Sequence, residues 1–225
     1  MPLYVEEGSG PAVIILQGGP GLTSRSVAPV GDLLRDRFRV IRLEHAAATV
    51  GELVDRMETV RAELGEEHWF IVGHSWGAAT ASMYAVTHPH RVRALVLAHP
   101  MEISTQFCEL SEDPLLDPNE SWEHDPDVAE ALWEDLEANC PDTTGDGYDL
   151  TAMVRRVAAP ALVLLGERDS IHQGSGKQWA ELLNAQLVSL ADAGHWSFLE
   201  QPAQFRHAVT EFLMAHDAPR TMAAA

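Results

Sequence analysis

Short apolar runs alternate with helical patterns along most of this chain, and this alternation constrains the fold more than any other feature. Apolar runs predict strands at residues 3–6, 12–16, 39–43, 69–72, 92–98, 160–165 and 185–190. Apolar residues at helical spacing predict helices at residues 27–37, 49–64, 179–183 and 202–215. Because strands joined by helices form parallel sheets, we predict an α/β fold: a mostly parallel twisted sheet flanked by helices.

The alternation is interrupted once, by an acidic segment. The net charge of the chain is −19, and residues 101–150 hold sixteen Asp or Glu and no Lys or Arg. A helix is predicted at residues 125–138. We predict that residues 101–152 form a small acidic helical lid over the strand ends. Two halves of one core, residues 1–100 and 153–216, would enclose it in sequence, with a flexible tail at residues 217–225.

Charge and hydropathy narrow the classes of partner. Nucleic acid and anionic membrane surfaces are poor partners for so acidic a chain. No apolar run reaches 18 residues, and the N-terminus has neither a basic region nor an apolar core, so we expect a cytoplasmic protein. Two cysteines, Cys108 and Cys140, do not make a disulfide framework, and the sequence leaves open whether they pair.

The sequence Gly73-His74-Ser75-Trp76-Gly77 joins the apolar run at residues 69–72 to a run of small residues at 78–85. This order predicts a strand, a sharp turn and a helix, with Ser75 at the apex of the turn. A serine nucleophile needs such exposure beside a base and oxyanion donors. The alternative is an ordinary strand-to-helix turn with a buried serine.

Ser75, Asp169 and His195 each follow a predicted strand, and parallel strands end on one edge of the sheet. At that edge His195 can act as the base for Ser75, while Asp169 fixes the tautomer of the imidazole and stabilises its cation. His99 falls at the same edge. Three other acids compete with Asp169: Glu44, Glu167 and Asp192.

A glycine-rich loop, Gln17-Gly18-Gly19-Pro20-Gly21, follows the strand at residues 12–16. Such a loop suits a backbone N–H group that must approach a ligand closely, although a plain glycine-rich turn would look the same. With the serine motif at residues 73–77, this loop resembles the proline iminopeptidase-like branch of the α/β-hydrolase superfamily. Members of that branch carry His-Gly-Gly-Pro-Gly and a Trp after the nucleophile. The phrase Gly-His-Trp-Ser-Phe-Leu-Glu-Gln-Pro at residues 194–202 is also typical of the superfamily.

The resemblance extends from about residue 3 to residue 215 and implies specific site residues. It implies that the backbone N–H groups of Trp76 and Gly19 hold the oxyanion. The neighbouring candidates for substrate contacts are Gln17, Gly18, His74 and Trp196. Gln17 stands where the branch usually has His, and the loop after residue 43 is shortened, so the resemblance implies the fold and serine chemistry rather than peptidase activity.

Three functions follow from these observations. The first is a serine hydrolase that cleaves an ester, thioester, lactone or amide of a small molecule through an acyl-enzyme on Ser75. The second is a non-hydrolytic enzyme of the same fold, a lyase, eliminase or cyclase in a specialised biosynthetic pathway. The third is a binding protein with a vestigial triad.

The sequence predicts no cofactor and no metal site. Residues 142–147 resemble a calcium loop, but Met153 stands where that loop requires Glu. A homodimer is a further hypothesis, because a small lid would leave a pocket that a partner subunit could complete.

Overall fold

The computed structural model describes residues 3–19, 22–43, 50–104, 148–169 and 174–217. In these ranges the strands are β1 (Tyr4–Gly8), β2 (Ala12–Leu16), β3 (Arg39–Leu43), β4 (Trp69–His74), β5 (Val92–Ala98), β6 (Ala161–Gly166) and β7 (Gln186–Leu190). They form one sheet in the order β1-β3-β2-β4-β5-β6-β7. Only β1 runs antiparallel to its neighbour among the described strands. The predicted mostly parallel sheet is therefore confirmed.

Helices cover both faces of this sheet. They are α1 (Ala28–Leu34), α2 (Val50–Glu63), α3 (Trp76–Thr87), α4 (Thr151–Val154), α5 (Ser175–Leu183), α6 (Ser197–Glu200) and α7 (Pro202–Ala215). Two short 3₁₀ segments, Ser24–Val27 and Pro89–Arg91, precede α1 and β5. Among the described residues, no helix combines the length and the apolar character needed to cross a bilayer.

Alternate residues of each central strand enter different hydrophobic clusters, because successive side chains of a strand point to opposite faces. Ile14 and Leu16 of β2 pack in the cluster that contains α2, α3 and α5. Val13 and Ile15 pack in the cluster that contains α1 and α7. All of β2 is buried, as expected for a strand covered on both faces. The two clusters fix the register of the sheet and hence the positions of its strand ends.

Several predicted boundaries shift in the structure. The first strand runs to Gly8 instead of residue 6, because Glu7 and Gly8 pair with Val40 and Arg39 of β3. The helix predicted at residues 27–37 is a 3₁₀ turn followed by a shorter α1, which carries Pro29 in its first turn. The helix α5 begins four residues before the predicted start, at Ser175.

Other predictions fall outside the described residues. They include Glu44, the helix start at residue 49, the loop residues 20–21, Cys108, Cys140, the lid helix at 125–138, the calcium-like run at 142–147 and the tail beyond residue 217. The two flanks of the acidic segment are described, and they meet. Ser104 and Asp149 form an isolated antiparallel bridge, and the Leu150 N–H donates to the Ile103 carbonyl at 2.8 Å.

Candidate active site

Ser75 occupies a strained turn between β4 and α3. Its backbone angles are φ 53° and ψ −118°, and residues other than glycine rarely adopt such a positive φ. The Ser75 N–H donates to the Ala98 carbonyl of β5 at 2.9 Å. The residue is 8% exposed. We call residues 73–77 the serine turn.

The two glycines of the serine turn are required by space. A Cβ atom on Gly73 would lie 2.5 Å from the Gly77 carbonyl oxygen. A Cβ atom on Gly77 would lie 2.6 Å from the carbonyl oxygens of Leu16 and Gln17. Since the backbone segments cross with no room for a side chain, the turn can form only with glycine at both positions.

The loop after β2 lies against the serine turn. A Cβ atom on Gly18 would lie 3.1 Å from Cβ of Ser75 and 3.2 Å from Nδ1 of His74. Gly19 has φ +113°, which favours glycine. Gly19 and Trp76 are partly exposed. Trp76 is the first residue of α3, where N–H groups have no partner within the helix.

His195 and Asp169 form a buried pair at the same edge of the sheet. Nδ1 of His195 lies 3.1 Å from Oδ2 of Asp169, and both residues are at most 6% exposed. Burial alone would raise the pKa of Asp169, but its interactions with His195 and then His99 outweigh burial and hold that pKa below the ordinary value. Asp169 is therefore ionised, accepts hydrogen bonds only, and requires the hydrogen of His195 on Nδ1.

Two of the competing acids take no part in this pair. Glu167 is exposed. Asp192 forms an exposed ion pair with Arg168. The structure thus brings Asp169, and neither of these two acids, to His195.

His74 joins the serine turn to His195. Its Nε2 atom lies 2.9 Å from the His195 carbonyl oxygen, and the two ring centroids are 4.8 Å apart. Burial, followed by the nearby rings of His195 and His99, holds the pKa of His74 well below its ordinary value. The ring is therefore neutral and donates from Nε2. Its Nδ1 is a buried acceptor with no hydrogen-bond partner among the described residues.

Gln17, Gly18, His74 and Trp196, the four predicted substrate contacts, are all buried. Within the described part of the chain, Oε1 of Gln17 is also buried without a hydrogen-bond partner. The ring of Trp196 packs 4.6 Å from that of His74, centroid to centroid. Contact of these four residues with a substrate stays a prediction.

Glu200, at the end of α6, holds the loop that carries His195. Its carboxylate accepts hydrogen bonds from the Gly194 N–H and, at 3.0 Å, from the Trp196 N–H. These amides flank His195 on both sides. Sequence reasoning recognised the phrase at residues 194–202 but gave Glu200 no role. We call residues 191–196 the histidine loop.

His99, directly after β5, also contacts the pair. Its Nδ1 atom lies 2.8 Å from the same Oδ2 of Asp169, and its Nε2 atom lies 2.7 Å from the Ser197 hydroxyl oxygen. His99 is 0% exposed. The sequence placed His99 at the active edge, but only the fold shows its partners.

Three possible metal ligands lie within 4.8 Å of one another: one ring nitrogen of His99, one ring nitrogen of His195 and one carboxylate oxygen of Asp169. Such a set could geometrically hold a metal ion. However, both contacts to Oδ2 have hydrogen-bond lengths. We therefore assign this cluster to hydrogen bonding.

The chain matches the alpha/beta hydrolase fold family over residues 11–139, which is more than half of its length, and it belongs to that family. The sheet topology and the serine turn agree with this assignment to the α/β-hydrolase class.

Among curated proteins, the chain is similar to the proline iminopeptidase of Neisseria gonorrhoeae, with 37% identity over 110 residues. This match covers 42% of the chain and 35% of that relative, so the chain spans about a third of the length of the relative. The predicted resemblance to proline iminopeptidase-like proteins is confirmed.

Solved structures share the fold over nearly the whole chain. A thermophilic esterase from Thermogutta terrifontis superposes with a TM-score of 0.79 at 21% identity, covering 96% of this chain and 93% of the other. The esterase RhEst1 from Rhodococcus sp. ECU1013 superposes with a TM-score of 0.77 at 20% identity, covering 95% and 94%. At these identities the likeness establishes the fold alone.

Proposed function

We propose that this protein is a serine hydrolase in which Ser75 is the nucleophile, His195 the general base and Asp169 the acid that orients His195. The observation that carries this proposal is the buried 3.1 Å contact between His195 and Asp169 beside a serine held at φ 53°. The names of the relatives, a proline iminopeptidase and two esterases, support acyl transfer as the reaction class.

In the proposed reaction, Oγ of Ser75 attacks a carbonyl carbon and Nε2 of His195 takes its proton. The Asp169 carboxylate holds the hydrogen of His195 on Nδ1 and stabilises the imidazolium that forms. His195 then gives the proton to the leaving group. Water, activated by the same histidine, attacks the acyl-enzyme and releases Ser75.

The proposed oxyanion donors are the backbone N–H groups of Trp76 and Gly19. They suit the role because α3 begins at Trp76, so its dipole favours negative charge there, and because the loop of Gly19 lies against the serine turn. Loss of one such donor typically lowers the rate about a hundredfold or more.

The proposed substrate is an ester, thioester, lactone or amide of a small molecule. Oε1 of Gln17 and Nδ1 of His74 are buried acceptors that have no partner in the described ranges of the chain, and buried acceptors favour a ligand that brings a hydrogen-bond donor. Proline amides, which carry N–H donors, are therefore the first substrates to test, and simple esters are the second because two solved structures of this fold are named esterases. An acidic lid at residues 101–152, a homodimer and a cytoplasmic location stay predictions.

A fluorophosphonate, which reacts with activated serines, tests this proposal through the intact mass of the protein. We expect one adduct on the wild type, none on Ser75→Ala and slow reaction of His195→Ala. Ser82→Ala is the matched control, because Ser82 is buried in α3, the helix that follows Ser75, and its hydroxyl has no hydrogen-bond partner among the residues that the structure describes. A folded wild type that forms no adduct, or an adduct that persists in Ser75→Ala, would contradict the proposal.

Once a substrate is found, turnover in H₂¹⁸O separates hydrolysis from the non-hydrolytic alternative. Hydrolysis places one solvent oxygen in the acid product. A product without solvent oxygen would identify a lyase, eliminase or cyclase that uses the same residues.

A further inference from the structure

One carboxylate oxygen of Asp169 accepts hydrogen bonds from two histidines. His195 Nδ1 lies 3.1 Å and His99 Nδ1 lies 2.8 Å from Oδ2, so the shorter of the two contacts belongs to the histidine that lies outside the proposed triad. All three residues are buried. Hydrogen bonds to an ionised group in such a place are stronger than those between neutral groups.

The partners of His99 fix its tautomer. Because the Asp169 carboxylate only accepts, Nδ1 of His99 carries the hydrogen. The Gly166 N–H also faces this nitrogen, but at 3.4 Å, so the 2.8 Å contact to Asp169 decides the assignment. In a neutral ring Nε2 is then an acceptor, and the fully buried Ser197 hydroxyl donates to it at 2.7 Å.

The backbone at His99 is also specialised. Its φ is +50°, a conformation that few residues other than glycine and asparagine adopt readily. The His99 N–H donates to the Leu164 carbonyl at 2.8 Å, which ties this strained residue to β6, the strand that leads to Asp169. The backbone bond to Leu164 and the side-chain bond to Ser197 therefore both hold the ring of His99 beside the carboxylate.

We propose that His99 is a positioning residue for the Asp169–His195 pair: its Nδ1–H fixes the orientation of the shared carboxylate and weakens the hold of that carboxylate on His195. This inference rests on the proposed function, since it concerns how the base of that reaction is tuned. Without the donor of His99, Oδ2 would interact more strongly with His195 and stabilise its protonated form. His195 would then lose its proton at a higher pH.

Three titratable groups face His99. They are Asp169 after β6, His195 on the histidine loop with ring centroids 5.5 Å apart, and His74 of β4 with ring centroids 6.0 Å apart. His74 is held neutral by burial, and Asp169 is ionised. We assign the acid limb of a pH profile to His195, and His99→Asn checks this assignment because it has no imidazole at position 99.

Two variants of His99 separate positioning from space filling. His99→Asn places an amide N–H near the Nδ1 position and suits the left-handed backbone, so it keeps the contact to Asp169. His99→Gln places its amide near the Nε2 position and keeps the contact to Ser197. A merely structural histidine predicts similar effects of both changes. His90→Gln is the matched control, because His90 is an exposed histidine.

The experiment measures the rate of fluorophosphonate labelling of the full chain from pH 5 to 9, with thermal unfolding of each variant alongside. We expect His99→Gln to react about tenfold more slowly on the plateau and its acid limb to move up by about one pH unit. His99→Asn should keep the wild-type limb. Equal rates and limbs in His99→Asn and His99→Gln, whether or not both differ from the wild type, would overturn the inference.

Proton NMR gives a readout that needs neither turnover nor labelling. We expect two strongly downfield Nδ1–H resonances in the wild type, one from each histidine on Asp169, and only one in His99→Asn and His99→Gln. If both variants keep every downfield resonance of the wild type, the inference is overturned even if His99→Gln labels slowly. If the wild type does not label at all, the proposed function fails, and the NMR result still decides whether His99 shares Asp169.

Discussion

The serine turn carries Ser75 and the histidine loop carries His195, and different sets of contacts hold these two segments in place. The serine turn is fixed by backbone contacts, because Gly73 and Gly77 leave no room for any side chain. The backbone of the histidine loop also packs closely, because a Cβ atom on Gly166 would overlap the Ala193 and Gly194 carbonyl oxygens and the Arg168 N–H donates to the Ala193 carbonyl at 2.8 Å. Unlike the serine turn, however, this loop is in addition held by polar side chains from elsewhere, through Glu200, His74 and Gln204. A glycine fixed by excluded volume tolerates no substitution, whereas removing the polar side-chain contacts one at a time should weaken the histidine loop in steps.

The largest effect should come from Gly77→Ala in the serine turn. The new Cβ atom would lie 2.6 Å from two backbone carbonyl oxygens, which cannot move without displacing β2. We expect a loss of about 4 kcal/mol in the free energy of unfolding and no fluorophosphonate adduct. Urea denaturation measures this loss.

Gly65→Ala is the control for Gly77→Ala. Gly65 has φ +70° but open space around the position of a Cβ atom. Its substitution should cost only about 1 kcal/mol, from the left-handed backbone alone. Gly77 does not have a positive φ, so a loss in Gly77→Ala as small as that in Gly65→Ala would show that excluded volume does not fix the serine turn.

Asp169→Asn should have the next largest effect and should depend on pH. Since the pKa of Asp169 is held below its ordinary value of 3.8, the unfolded chain binds this proton first as pH falls. Above pH 3.8 the free energy of unfolding of the wild type should therefore exceed that of Asp169→Asn by about 3 kcal/mol. Below pH 3.8 this difference should shrink. Denaturation from pH 7 to pH 3 measures the difference, and a gap that widened with acid would contradict the assignment.

Glu200→Ala should weaken the histidine loop without disturbing the serine turn. Two hydrogen bonds to a carboxylate are lost, which should cost about 2 kcal/mol. Because these bonds orient the amides around His195, we expect labelling of Ser75 to slow about tenfold or more. Glu211→Ala, an exposed glutamate of α7, is the control. Labelling at the wild-type rate in Glu200→Ala would show that the loop keeps its geometry by packing alone.

Gln204→Ala should have the smallest effect. The Gln204 amide pairs with both the N–H and the carbonyl of Ala191 at 3.2 Å, but these contacts are exposed. We expect a loss of about 0.5 to 1 kcal/mol and unchanged labelling, measured as for Glu200→Ala. A larger effect on labelling than that of Glu200→Ala would reverse the order in which we rank the supports of the loop.

The same contrast explains what the sequence could predict. The bounds of β2, β3, β5 and α7 follow from apolar patterns and match the structure. The serine turn was predictable because excluded volume leaves glycines at fixed spacing. Asp169 and His195 were predictable from their positions after strands, since parallel strands end at one edge.

The supports of the site were not predictable in this way. His99 meets Asp169 across 70 positions of sequence, and His74 meets the His195 carbonyl across 121. No local pattern records such pairs, because a histidine or glutamate that serves as a support looks like any other in sequence. The extension of β1 through Glu7 and Gly8 was missed for a similar reason: pairing with β3, rather than an apolar pattern, defines it.

The bridge between Ser104 and Asp149 also has a consequence for how such a chain can diversify. The bridge brings the two described ends of the stretch between Ser104 and Asp149 together. Changing the length of a loop whose ends are already fixed alters its closure free energy only slightly, by about 0.6 kcal/mol for a doubling. By this closure free energy alone, a change in the length of the stretch between Ser104 and Asp149 should cost the sheet little stability.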